Sequence, residues 1–361
     1  MTNPDRSCLW LTGIAHFTVD FACTALLASL SHRVSMLQLT AYAVLYNGLA
    51  FAFQLPVGAF GDFKDLKRLL AGAGCLLVAA GSLFSAPVVM CLLIGLGNAC
   101  FHVGGGREVL QRSGGNPAAV GKFVAPGAVG IFFGPRLSTI SWLTHAFLPG
   151  ALVLMGVLLL ITRRQDGSQP ALSPLPLSLG RLAGVMGCMF FTVLLRSYMG
   201  TVLAYPFLSK AGLAFLFTIS IFLGKFLGGV LSHRFGLLPF AAAGQVSATI
   251  LFILSVRLPP LAYPAIFLFN TTMAVTATQL YRCLPQYPGT MFGLTTFALY
   301  LGVLPRLLGW KAIPFTGWSL GLMGLISTLL LLAGLLLLTG GECRAADASV
   351  PGPLSGSNAA P

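Results

Sequence analysis

The sequence predicts an all-α polytopic membrane protein: twelve transmembrane helices in two pseudo-symmetric six-helix bundles. Three observations carry this. Of 361 residues, 56% are hydrophobic and only 8% are charged, whereas a soluble domain carries about 25% charged residues. Apolar runs of roughly 20 residues, each long enough to cross about 30 Å of hydrocarbon, recur along the chain. Landmark residues of the first half return about 171 positions later in the second, as in the repeats of many membrane proteins.

The runs fall at 8–30, 40–60, 69–85, 87–110, 118–136, 146–162, 181–205, 212–232, 238–256, 260–282, 290–309 and 316–339. The first is not a signal peptide: it contains His16 and Asp20, and no small-residue cleavage site follows. Residues 163–180 break the series with Pro, Ser and charge, and read as a cytoplasmic linker between a first bundle (1–162) and a second (181–340). Residues 341–361 hold almost no large apolar side chains, which predicts a disordered cytoplasmic tail.

The formal charge of +13 follows mostly from topology, because Lys and Arg collect on cytoplasmic loops. With both termini inside, inner loops outnumber outer loops about two to one in bases, which sets the orientation in a cell membrane. No basic domain lies outside the apolar runs, so nucleic acid is not an expected partner; the bilayer is. The eight cysteines include no CxxC pair and read as small packing residues. Neither a metal nor a cofactor is expected, since no ligand spacing supports one. HExxH, GxSxG and P-loop patterns are missing, which argues against an enzyme and against direct drive by ATP.

The repeat is visible at three places. Gly58 to Asp62 ends span 2, and Gly229 to Gly236 ends span 8. Asn98 lies in span 4 and Asn270 in span 10. Pro117 to Pro135 brackets span 5, and Pro288 to Pro305 brackets span 11. Two halves of like orientation place a binding site between them near the bilayer midplane.

Asp20 is the most informative residue. It lies near the middle of span 1, where a carboxylate costs about 2.5–3.5 kcal/mol to insert. Desolvation favours its uncharged form, so a proton bound from one side and released to the other is one reading; a hydrogen bond or ion pair that locks the helix is the other. His16 lies one turn earlier on the same face. Span 4 runs the opposite way, and at 1.5 Å per residue His102 should sit about as deep as His16, and Asn98 about as deep as Asp20. His16, Asp20 and His102 are the proton-coupling candidates.

Arg196 in span 7 and Lys225 in span 8 are cations in hydrocarbon, and each should face a cavity or a partner. Arg suits bidentate contact with an oxyanion, whereas Lys225 also has the option of reaching the inner surface along its stem. Asn98, Arg196, Tyr46, Asn47, Asn270 and Gln279 are the candidates for lining a substrate cavity. The polar residues among them suit interhelical hydrogen bonds equally well. Glu108 beside Arg107, at the inner end of span 4, suits a gating ion pair.

The loop GAFGDFKDLKR (58–68) resembles the inner-loop signature of the major facilitator superfamily, G-x-x-x-D-(R/K)-x-G-(R/K)-(R/K). Gly58, Asp62, Lys67 and Arg68 match, while Phe63 and Asp65 depart from it. The resemblance implies that Asp62 pairs with bases of a neighbouring helix and latches one conformation. In the second copy His233 stands where the acid would be, so that latch should be weak. Span 5 is similar to the antiporter signature of the same superfamily through Gly121, Gly130, Gly134 and Pro135, with Ser138 and Thr139 in place of its final glycines. Such small residues let helices approach, and Pro loosens the backbone ladder.

Within the superfamily, the chain is most similar to the branch of bacterial fosmidomycin-resistance proteins. His16, Phe17 and Asp20 match its H-F-x-x-D; Gly95, Gly97, Phe101 and His102 match its G-x-G-x-x-x-F-H-P, with Val103 in place of the proline. The resemblance implies a secondary transporter for proton-driven drug efflux, without fixing the cargo; the cations at Arg196 and Lys225 point to a small anionic drug or metabolite, and a monomer is expected. Proton-coupled uptake on the same fold, and a membrane sensor or assembly factor that transports nothing, are the alternatives.

Overall fold

The structure, a computed structural model, describes residues 3–64, 66, 69–162, 172–202, 209–311 and 313–348. Residues 163–171 of the expected linker and 349–361 of the expected tail lie outside that set. The described residues are helical apart from their connections, and no strand occurs among them. Fourteen helices build twelve crossing segments. In the first half they are α1 (Asn3–Ser29), α2 (Met36–Asn47) with α3 (Gln54–Phe63), α4 (Leu70–Gly81), α5 (Pro87–Arg112), α6 (Pro117–Leu137) and α7 (Leu148–Thr162). In the second they are α8 (Leu179–Val202), α9 (Ala211–Phe235), α10 (Leu237–Ser255), α11 (Ala262–Asn270) with α12 (Met273–Cys283), α13 (Pro288–Leu307) and α14 (Gly317–Ala348). Eleven segments are long and apolar enough to cross a membrane.

Apolar side chains face outward as well as inward, as hydrocarbon demands. On α14, Leu322, Leu325, Leu329 and Leu336 are exposed, while Leu320, Leu331 and Leu335 are buried. Helix starts follow local chemistry. Ser35 and Gln38 form a reciprocal capping box at α2. Prolines open α5, α6 and α13, where the missing N–H costs nothing.

Four features depart from twelve uninterrupted spans. Span 2 carries a π-helical turn over Gly48–Ala52 between α2 and α3, and span 6 begins with another over Leu143–Phe147. Span 10 breaks at Thr271–Thr272. Thr271 Oγ1 bonds the Leu268 carbonyl (2.6 Å) and Thr272 Oγ1 the Phe269 carbonyl (3.2 Å), so hydroxyls compete with backbone amides for the last acceptors of α11. Span 3 is short: α4 has 12 residues, about 18 Å of helix. At the other end of the chain α14 runs on to Ala348, past the expected end of span 12 at 339.

The first half packs around α1 and α6, and the second around α8, α10, α13 and α14. The halves meet where α3 lies against α13 and α6 against α9. Both contacts use glycine. A Cβ at Gly58 would strike the Gly289 carbonyl, and one at Gly229 would strike the Pro117 carbonyl. These close approaches lie at one end of the molecule, called here the Asp62 end.

Candidate functional site

Three helices of the first half bring the central cluster together. α6 lies on α1 through Gly127, Gly130 and Gly134; a Cβ at these positions would collide with Asp20 and His16, with the Phe17 carbonyl, and with Thr24 Oγ1. α5 completes the group. Asp20 is buried, with Oδ2 3.2 Å from His16 Nε2 and Oδ1 3.6 Å from His102 Nε2. Asn98 Nδ2 donates to Asp20 Oδ1 (3.2 Å) and to the Tyr46 hydroxyl (3.4 Å). The two imidazoles meet at 2.9 Å between Nε2 atoms. His16 Nδ1 lies 2.7 Å from the Phe123 carbonyl and His102 Nδ1 2.9 Å from the Asn98 carbonyl. Phe101 and Phe123 wall the His16 ring, with centroids at 6.0 and 4.8 Å. Phe292 of α13 closes the stack against Phe123 at 5.9 Å, so a side chain of the second half lies over the cluster.

His16, Asp20 and His102 are the one group among the described residues whose donor atoms converge as metal ligands would, all within 4.8 Å. Two nitrogens on a tetrahedral zinc, each bonded at about 2.05 Å, lie about 3.3 Å apart. The observed 2.9 Å is the shorter spacing of an N–H···N hydrogen bond.

The second half contributes two cations without anionic partners among the described residues. Arg196 of α8 is buried and donates to Thr272 Oγ1 (2.9 Å) and Thr276 Oγ1 (3.2 Å) at the α11–α12 break. Its Nε has no acceptor. Gln245 of α10 donates to the same Thr272 hydroxyl at 2.9 Å. Lys225 of α9 sits where α6 crosses, its own carbonyl against Gly121, next to Gly224, which abuts Asn270. No hydrogen bond or ion pair joins its ammonium to another described residue, and its charge interacts with those of Asp20 and Arg196.

Not every candidate joins these groups. Asn47 and Asn270 each donate to a carbonyl one turn back on their own helix, Ala43 (2.8 Å) and Ile266 (2.9 Å). Gln279 is buried and accepts from Arg282 at 3.2 Å. Tyr46 and Asn98 sit with Asp20, rather than with Arg196.

At the Asp62 end, Asp62 Oδ1 accepts from Gly289 N (3.0 Å), and Oδ2 from Thr290 N and Thr290 Oγ1 (both 2.8 Å). Arg107 Nη1 lies 3.5 Å from Asp62 Oδ1 and donates to the Gly61 carbonyl at 2.8 Å. Glu108 pairs with Arg112 at 2.9 Å. Lys67 and Arg68 lie outside the described residues. Pro135 is inside α6, and its carbonyl accepts from Ser138 Oγ at 2.9 Å. His233 is exposed.

Sequence reasoning missed four partners: the Phe123 carbonyl, Gln245, Phe292, and the Gly289–Thr290 amides. Two are backbone groups, which leave no mark in a sequence. Gln245, a lone amide in an apolar run, was the one available signal.

No protein-family model matches the chain, and no functionally curated protein does. Solved structures do. The chain superimposes on the fucose:proton symporter FucP of E. coli, in a single-substitution variant, with a TM-score of 0.60 at 13% identity, covering 94% of this chain and 99% of that one. A second structure of FucP, a major facilitator superfamily transporter in the outward conformation, gives 0.58 at 13% identity over 93% and 98% of the two chains. At this identity the likeness is one of fold: the chain has the twelve-helix architecture that these transporters adopt.

Proposed function

We propose that this protein is a secondary active transporter of the major facilitator type, which moves a small anionic drug or metabolite across the cell membrane in exchange for protons. One observation carries the reading. A buried carboxylate ringed by two imidazoles in the first half is matched in the second half by two intramembrane cations, Arg196 and Lys225, that lack anionic partners among the described residues. Charges are kept inside a bilayer where they serve a pathway, and this set divides into a proton side, His16, Asp20 and His102, and an anion side, Arg196 and Lys225.

The anion side also has a helix start. α12 begins in mid-membrane at the Thr271–Thr272 break, and the positive end of a half-helix there favours an anionic group. A carboxylate or phosphonate held by Arg196 and Lys225 is the substrate chemistry this predicts. Both termini and the Asp62 end are cytoplasmic in this reading, from the excess of bases on that side. Closure at the Asp62 end is then the outward-open limb of an alternating cycle. Export is the direction adopted; the likeness to FucP, a fucose:proton symporter, favours uptake as the second reading.

Everted vesicles that carry the protein and an imposed pH gradient test this. An exchanger discharges the gradient when substrate is added, whereas a symporter working toward the cytoplasm takes protons up with the substrate. Asp20→Asn should abolish either response. Solute flux unchanged by Asp20→Asn would remove the cluster from the mechanism, and the lack of any flux would leave a sensor or assembly factor.

A further inference from the structure

We infer that the cluster stores its proton between the two imidazoles, as a shared His16–H–His102 pair, with Asp20 ionised beside it as counter-ion. The proton count follows from geometry. The ring orientations are fixed by the contacts of 2.7 and 2.9 Å from each Nδ1 to a carbonyl, too short for the C–H groups that a flipped ring would place there. A carbonyl only accepts, so both Nδ1 atoms carry hydrogen. A neutral imidazole with hydrogen on Nδ1 has a bare lone pair on Nε2. Two such lone pairs would then face each other at 2.9 Å, beside a carboxylate that also only accepts. One hydrogen must lie among these three acceptors.

The distances place it. The Nε2–Nε2 gap is 2.9 Å, against 3.2 and 3.6 Å from the carboxylate oxygens to the two Nε2 atoms. A proton on Asp20 would serve the 3.2 Å contact and leave the shortest one repulsive. A proton in the nitrogen gap turns that contact into a hydrogen bond and makes the pair a cation. The carboxylate, held by Asn98 at 3.2 Å, then balances it, and the cluster is neutral as a whole.

Other groups face the site from every side. Tyr46 and Cys23 lie near Asn98, Phe101 and Phe123 wall the rings, and Lys225 interacts electrostatically with both Asp20 and His102. When the shared proton departs, two neutral imidazoles and a carboxylate remain, with net charge −1. Three acceptors then face one another with no hydrogen between them. The freed carboxylate then draws the Lys225 charge of the other half more strongly, since the imidazolium pair no longer balances it. This role in the cycle rests on the transport reading above; the proton count rests on the geometry alone.

The test needs no substrate. The chain has five histidines, so ring-nitrogen NMR of ¹⁵N-histidine-labelled full-length protein in nanodiscs resolves the pair. The expected spectrum has hydrogen on both Nδ1 atoms, and Nε2 signals of His16 and His102 displaced together between protonated and bare positions. A ¹³C-aspartate label should report Asp20 as ionised in the same sample. His102→Gln should remove the shared signal and lower proton release on alkalinisation by one per protein, with the other three histidines unmoved as the folding control. The inference is overturned by a protonated Asp20 beside two neutral rings, by an Nδ1 without hydrogen, or by a paired signal that disappears on chelation, which would mean a metal ion in the gap. Each of those results leaves coupled transport through Asp20 open to the flux assay.

Discussion

Asp62 and Thr290 are joined twice: one carboxylate oxygen accepts both the amide and the hydroxyl of Thr290 at 2.8 Å. The first residue lies at the end of α3 and the second in the first turn of α13, 228 positions apart. The carboxylate therefore caps the N-terminus of a helix in the opposite half, where the helix dipole favours negative charge. The cap exists only while the halves are closed at this end.

Asp62→Asn should loosen that closure. Hydrogen bonds to a charged acceptor contribute about 1.5–3 kcal/mol each, and the amide retains part of them. A loss of about 2 kcal/mol corresponds to roughly a 30-fold shift toward the state open at this end. Spin labels on the ends of α3 and α13, read by pulsed dipolar spectroscopy, should show a second, longer distance. A distribution identical to wild type would mean that the glycine contacts alone hold the ends together.

Arg196 sits on two threonine hydroxyls with no carboxylate among the described residues to neutralise it. Arg196→Gln should weaken substrate binding by about tenfold to a hundredfold, the range of a lost charge-assisted contact. Arg196→Lys should recover part of it, since the charge remains and the bidentate fork does not. Competition by simple carboxylates and phosphonates against a bound probe measures both. Equal inhibition of wild type and Arg196→Gln would exclude Arg196 from the anion site.

Glycines divide into those that build the site and those that do not. At Gly127 an added methyl would meet Asp20 Oδ2 and His16 Nε2, whereas at Gly187 it would meet nothing within 4 Å. Gly127→Ala should push α6 off α1, abolish coupled flux and lower the melting temperature. Gly187→Ala, within α8, should stabilise by about 0.5–1 kcal/mol through the lost freedom of the unfolded chain. Thermal unfolding in detergent distinguishes the two, and comparable curves for both would contradict the packing described.

The contrast between these glycines marks what a sequence can and cannot disclose. Helical rise alone placed His16 level with His102 and Asp20 level with Asn98, because two antiparallel rods share one ruler. Which neighbour completes the site was hidden, since the acceptor for His16 is the Phe123 main chain. Span 10 reads as one apolar run, yet it breaks at Thr271–Thr272 without glycine or proline, by hydroxyls that divert carbonyls. Asn270 looked like the partner of Asn98 by repeat position. The first bonds its own helix and the second reaches across to Asp20, and only the packed partner decides between those outcomes.

The repeat itself supplies the last prediction. Gly58 abuts Gly289, and four residues later Asp62 caps α13; Gly229 abuts Pro117, which opens α6, and four residues later the equivalent position of α9 holds His233, which is exposed. The first turn of α6 is capped by its own loop, with Asn116 Oδ1 accepting from Ala118 N at 2.9 Å. Of the two positions the symmetry provides at this end, Asp62 therefore supplies a carboxylate to the opposite half and residue 233 supplies none. His233→Asp should create the second, adding about 0.5–2 kcal/mol, the value of a helix cap, to the closed state. A carrier that must open this end in each cycle is slowed by that amount, so turnover should fall several-fold while the melting temperature rises. Turnover and melting both unchanged would mean that residue 233 does not reach the α6 amides, and that the two halves close by unequal geometry as well as unequal chemistry.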